Sequence, residues 1–193
     1  MNPHIWWYVA RASGIVAWAL LALSVLWGLL VSTRVLQGRP SPAWLLDSHR
    51  FLGGLAVLFT ATHIGALVAD SYVHFGAAEI LVPFASAWKP RPVAFGVVAL
   101  WVLLAVEVTS LLMRRLPRRV WRAVHYSSLA LFALAGVHAM TAGTDARNAV
   151  FRDVTIVVSV AAGLLALLRA LVPKSPSRAT RARADATDLR SAA

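Results

Sequence analysis

HRFLGGLAVLFTATHIGALVA, residues 49–69, opens on His49 and reaches a second histidine, His63, fourteen positions later. From Phe51 to Ala69 it carries no Asp, Glu, Lys or Arg. At about 1.5 Å per residue the run crosses a bilayer core of about 30 Å, and without period-two alternation it reads as a membrane helix. A second stretch repeats the pattern: HYSSLALFALAGVH, residues 125–138, also begins and ends on histidine. Imidazole is costly inside hydrocarbon, so two such pairs in two membrane-length segments mark a functional site.

Working outward, apolar runs of similar length cover about residues 5–31, 44–69, 93–113, 120–141 and 149–172. The chain of 193 residues is 59% hydrophobic, above the range of soluble domains. Lipid cannot satisfy backbone polar groups, so the expected fold class is all-α: a polytopic membrane helical bundle of about five transmembrane helices. Trp6, Trp7 and Tyr8 open the first run as an interfacial aromatic belt. No basic residue precedes them and the run exceeds a signal-peptide core, which predicts a retained span. Gly38-Arg39-Pro40-Ser41-Pro42, Lys89-Pro90-Arg91-Pro92 and Leu116-Pro117 mark turns. Residues 72–88, which include Glu79 and Pro83, are too mixed to span and read as a short interfacial helix or loop. The expected organisation is one transmembrane bundle, 1–172, that carries the histidine site, and a disordered basic tail, 173–193, attracted to anionic membrane lipid.

The net charge of +11 does not point to nucleic acid, because the basic residues lie between and after apolar runs. Arg34, Arg39, Arg50, Arg114, Arg115, Arg118, Arg119, Arg122, Arg169 and the basic residues of the tail fall on one side. Arg11, Lys89, Arg91, Arg147 and Arg152 fall on the other. The positive-inside rule then predicts an outer N-terminus and a cytoplasmic C-terminus in a multi-pass protein of the plasma (inner) membrane. The sequence contains no cysteine, which excludes disulfides, iron–sulfur clusters, thioether-linked haem and thiolate zinc sites.

On an ideal helix a spacing of 14 returns a side chain to within about 40° of its face, about 21 Å along the axis. His49 and His63 therefore point into one interior, near opposite membrane surfaces. The second and fourth spans run in the same direction, which pairs His49 with His125 on the cytoplasmic side and His63 with His138 on the outer side. Two imidazoles with nothing else suit the axial positions of a haem iron, whereas bare zinc or copper wants further ligands. Asp47 and Met140, each two residues from a histidine, lie on other helix faces. Gly53, Gly54, Gly65 and Gly136 are small residues near the ligands that let a flat macrocycle approach. The spacing of 13 from His125 to His138 leaves the second ring about 140° off the first, so that helix is tightened or kinked, or the two haems approach from different sides. One intramembrane histidine is accounted for by helix–helix hydrogen bonding; four at matched depths are not. His4 and His74 read as solvated or interfacial.

These residues resemble the ferric reductase-like transmembrane family, which includes membrane ferric reductases, the membrane half of NADPH oxidases and the haem-binding subunit of the bacterial methionine sulfoxide reductase system. The resemblance rests on the 14 and 13 spacings two helices apart. It also rests on the basic, Trp-containing approach Arg118-Arg119-Val120-Trp121-Arg122-Ala123-Val124-His125. It implies that His49, His63, His125 and His138 ligate two non-covalent b-type haems that carry electrons across the membrane. The family usually shows six spans, and no flavin- or nicotinamide-binding portion follows the fifth run here. FAD and NAD(P)H are therefore expected only on a separate partner, with a flavoprotein or quinol as donor and an outer-side acceptor such as ferric iron, oxygen or a protein. The chain would then be an oxidoreductase electron-transfer subunit.

Haem propionates need cations or donors near the interface. Arg50 and Arg122 are placed for the cytoplasmic haem, or serve only positive-inside orientation. Arg11, about one turn below Trp7, is expected to face the bundle and pair with the outer haem's propionate or with Asp70. Glu107 is expected to snorkel toward Arg114, or to accept a proton during quinol oxidation. The iron atoms would lie about 20 Å apart along the helix axis. Two other classes compete. A His-lined transporter of divalent metal or haem would need water-accessible carboxylates along its path, and only Glu107 qualifies; a structural membrane subunit would hold no haem.

Overall fold

A computed structural model describes residues 4–32, 42–71, 73 and 75–171. The 38–41 part of the first turn, His74 and the tail from 173 lie outside the described residues. Those described form α1 (Ile5–Ser32), α2 (Pro42–Ala69), α3 (Ala77–Leu81), α4 (Pro90–Leu111), α5 (Arg118–Tyr126), α6 (Ser128–Ala142), a 3₁₀ turn (Thr144–Arg147) and α7 (Ala149–Leu171). No strand occurs among them. Five spans are long and apolar enough to cross a membrane, α5 and α6 together forming the fourth. The protein is an all-α, multi-pass membrane bundle that contacts lipid.

α1 is the organising helix. It packs along α2 and also touches α6 and α7, while α4 packs on α6 and α5. Trp18, Ala22 and Val25 of α1 meet Phe132 of α6 and Ala162 of α7 in one buried cluster. Ala99 and Leu103 of α4 meet Leu131 of α6 in another. Small residues at these crossings let backbones approach where lipid supplies no hydrophobic drive for association. The two histidine-bearing spans are not extensively packed on each other, so they face one another across space.

The fourth span is broken where its spacing demanded. Ser127 separates α5 from α6, its N–H bonding to the Val124 carbonyl at 3.0 Å in a tight i→i−3 turn. Its hydroxyl bonds to the same carbonyl at 2.6 Å. A 3₁₀ step turns about 120° per residue rather than about 100°, and serine back-bonding bends helices. Both act to recover the rotation that an interval of 13 lacks. A local tightening, one of the expected explanations, is thus present, and it supplies part of the missing rotation of about 140°.

The described residues between α2 and α4 form loops around the short α3, which packs on α4; Trp101 of α4 donates from Nε1 to the Leu81 carbonyl at 2.9 Å. α4 then starts from Lys89, whose φ of 43° lies in the left-handed region. That uncommon turn is held from the side chain: Nζ of Lys89 donates to the carbonyls of Thr141 and Ala142 at 3.2 and 3.3 Å. The contact satisfies carbonyls at the C-terminus of α6 and fixes the start of α4 beside it.

Candidate functional site

The structure brings the four histidines together as two facing pairs. The rings of His49 and His125 lie 6.0 Å apart, centre to centre, with planes at 76°. Those of His63 and His138 lie 6.5 Å apart at 81°. No group of three or more His, Asp or Glu side chains suited to a metal ion occurs among the described residues. Each pair thus offers two nitrogens to a shared centre and nothing more.

What fixes the rings was not apparent from the histidine helices. The Nδ1–H of His63 donates to the Ala10 carbonyl of α1 at 2.6 Å, and that of His138 to the Pro92 carbonyl of α4 at 2.8 Å. A carbonyl only accepts, so both rings carry their proton on Nδ1 and keep the Nε2 lone pair for a ligand. Nδ1 of His49 lies 3.3 Å from the Ser24 hydroxyl of α1. The buried Nδ1 of His125 has no hydrogen-bond partner; its ring stacks instead on Trp121, one turn earlier, at 5.1 Å and 23°.

Each of the three acceptors is followed four residues later by a glycine that makes room for the ring. A Cβ on Gly14 would stand 2.8 Å from Nδ1 of His63, and one on Gly96 would stand 2.7 Å from both Nδ1 and Cε1 of His138. On Gly28 it would stand 3.2 Å from Cε1 of His49. Positions i and i+4 share a helix face, so acceptor and gap lie over one another. The glycines expected beside the ligands do otherwise. Gly54 and Gly65 face open space, Gly136 faces Trp18, and Gly53 faces the Glu107 carboxylate. They adjoin the histidines in sequence, but a Cβ on any of them would meet no imidazole within 4 Å. One signal was present: Gly14 and Gly28 are spaced 14 apart, as His49 and His63 are, and α1 runs antiparallel to α2.

A cavity of about 490 Å³ opens beside the second pair, lined by His63, His138, Gly14, Gly96 and Trp18 among others. Arg11 and Asp145 also line it, joined by a two-point ion pair between guanidinium and carboxylate. Arg11 does face the bundle, but its carboxylate partner is Asp145 and not Asp70, whose Oδ2 accepts the Val73 N–H at 3.3 Å. Asp145 is 134 residues away, a contact that only the return of α6 beside α1 creates. Arg11→Ala and Asp145→Ala should each lower the yield of monodisperse protein in detergent, since either leaves a charge unpaired in an apolar surround. The exchanged pair, Arg11→Asp with Asp145→Arg, should restore most of it.

Arg50 and Arg122 lie on the exposed surface. Arg50 is 3.6 Å from Asp47, and Nη2 of Arg122 donates to the Tyr126 hydroxyl at 3.1 Å. Glu107 does not reach Arg114: two turns separate them, and its half-buried carboxylate turns to α2 at Gly53. His4 is exposed at the start of α1. Near the Arg-rich end, Ser110 Oγ and Trp121 Nε1 are buried without a hydrogen-bond partner, as is His125 Nδ1. Such atoms are rare in folded proteins and mark where a further polar group belongs.

Residues 13–137 match the model of a protein family described as the ferric reductase-like transmembrane component. The match takes in His49, His63 and His125 and stops one residue before His138. No curated protein and no solved structure matches the chain.

Proposed function

The chain belongs to the ferric reductase-like transmembrane family, whose domains generally bind haem, and from that premise we propose that it is a di-haem b-type cytochrome carrying electrons across the membrane. The observation that carries the reading is the ring spacing. An iron midway between two imidazoles, bonded at about 2 Å to each nitrogen, needs ring centres about 6 Å apart. The pairs stand at 6.0 and 6.5 Å. The tautomer set by Ala10 and Pro92, and a cavity within the range of about 300–1,000 Å³ usual for cofactors, support the same assignment.

In this reading His49 with His125 would hold one haem and His63 with His138 the other. Haem, when bound, supplies a one-electron iron couple. The chain's own residues hold the rings, separate the two sites along α2 and exclude water with Trp18 and the α1–α6 contact. Trp121, whose Nε1 lacks a partner, is a donor for a propionate near His125, with Arg50 and Arg122 at the same end. Arg11 serves the other site, sharing its guanidinium with Asp145. The Arg-rich end faces the cytoplasm of the plasma membrane. One electron enters there from the reduced flavin of a separate protein or from a quinol, and one leaves outside to ferric iron, dioxygen or a partner protein. No bond forms or breaks within the bundle.

A dithionite-reduced minus air-oxidised spectrum of the purified protein tests this. A sharp b-type α-band with about two haems per chain is the expected result. Protein that folds and shows no haem signal refutes it.

A further inference from the structure

The four axial rings are not held alike, and the difference runs along the membrane normal. We propose that the His63–His138 pair holds its iron at a lower reduction potential than the His49–His125 pair does, so a single electron rests at the Arg-rich end. This deepens the reading above and rests on it.

An imidazole whose Nδ1–H is bonded to a good acceptor gains imidazolate character, donates more strongly to iron and favours the ferric state. His63 and His138 both have backbone carbonyls as acceptors, at 2.6 and 2.8 Å. His49 meets only Ser24, whose hydroxyl stands at 3.3 Å, beyond the usual range for such a bond, with its backbone beside it, and His125 has no hydrogen-bond partner.

Fixed charge acts in the same sense. Asp70, Glu79 and Asp145 line the cavity of the His63–His138 pair beside one guanidinium, Arg11, which Asp145 already engages. The end nearer His49 and His125 carries Arg50, Arg118, Arg119 and Arg122, all exposed and therefore screened in part, against two carboxylates, Asp47 and Glu107, so the cations outnumber the anions there. Negative charge near iron stabilises the ferric form and positive charge the ferrous form. Burial opposes this where His63 and His138 are more enclosed. It acts on the whole porphyrin, whose propionates offset the iron's charge, whereas the axial bonds act on the iron directly.

The functional consequence is a resting side. With one electron per chain, the ferrous iron is the one between His49 and His125. Transfer to the other pair oxidises that iron and reduces its neighbour by one electron, a step against the gradient. An outer acceptor of higher potential, or a second electron, draws it across.

Potentiometric titration of the purified di-haem protein, followed at the α-band, is the test. Two one-electron steps are expected, differing at least tenfold in the ratio of reduced to oxidised iron, about 59 mV for one electron. His125→Ala should leave only the lower step and His138→Ala only the upper; the reverse order, or coincident steps, overturns the proposal. Where a ligand variant loses both haems, Ser24→Ala decides. It removes the hydroxyl near His49 and should raise the upper step while the lower stays fixed, and movement of the lower step alone overturns the proposal. Absence of haem from the unaltered protein would instead refute the cytochrome reading beneath it.

Discussion

His138→Ala should halve the haem content of the purified protein and leave the bundle folded. Its ring faces only His63 at 6.5 Å, and no third His, Asp or Glu stands ready to replace it among the described residues. Under the proposed ligation, loss of one nitrogen would leave that haem with a single protein ligand, and changes of this kind in metal sites cost large factors in affinity. The fold should tolerate the change, because α6 is anchored by Leu131, Phe132 and Gly136, which lie on its buried face. His63→Ala should remove the same haem, so the double variant at 63 and 138 should still hold one. His63→Ala combined with His125→Ala should hold none. Haem per chain, from the pyridine haemochrome spectrum, reads all four outcomes. Loss of both haems in the 63 and 138 double variant, with the protein still folded, would show that the facing rings do not share one centre.

Gly96→Ala should have nearly as large an effect with one added methyl group. Helix propensity alone favours the replacement by about 1 kcal/mol, so a folding defect is not expected from the backbone. Its Cβ would stand 2.7 Å from two atoms of the His138 ring, closer than carbon atoms approach. A free side chain would swing aside cheaply. This ring is held at 2.8 Å to the Pro92 carbonyl, so moving it breaks that bond and turns Nε2 away from His63. The expected outcome is a protein of equal or greater thermal stability that has lost the haem of this pair. Gly54→Ala, where a Cβ would meet nothing within 4 Å, is the matched control and should retain both haems. Equal haem content in the two variants would show that the Gly96 gap does not hold the ring.

How far the sequence alone reaches differs from feature to feature. The five spans follow from length and apolarity, since the bilayer fixes how many residues a helix needs. Helix direction follows from counting spans, and it alone predicts that His49 meets His125 and His63 meets His138. The unequal spacing of 13 left two explanations open, and the tight turn at Ser127 shows that the helix is locally tightened. Rotation of each helix about its axis was not legible. Lipid is as apolar as the bundle interior, so the helices carry no clear polar face to tell inside from outside. That is why Gly53, Gly54, Gly65 and Gly136 were expected beside the rings, when Gly14, Gly28 and Gly96 of neighbouring helices occupy those places.

By itself, then, the sequence determined an all-α membrane bundle, the direction of its spans and the histidines that can meet. It did so because the bilayer imposes length and backbone satisfaction locally along the chain. Only the tertiary structure decided what holds each ring: the carbonyls of Ala10 and Pro92, the hydroxyl of Ser24, the glycine gaps and the pairing of Arg11 with Asp145. These are contacts between helices remote in sequence, and they depend on how each helix is rotated against its neighbour, which no local pattern in an apolar segment specifies.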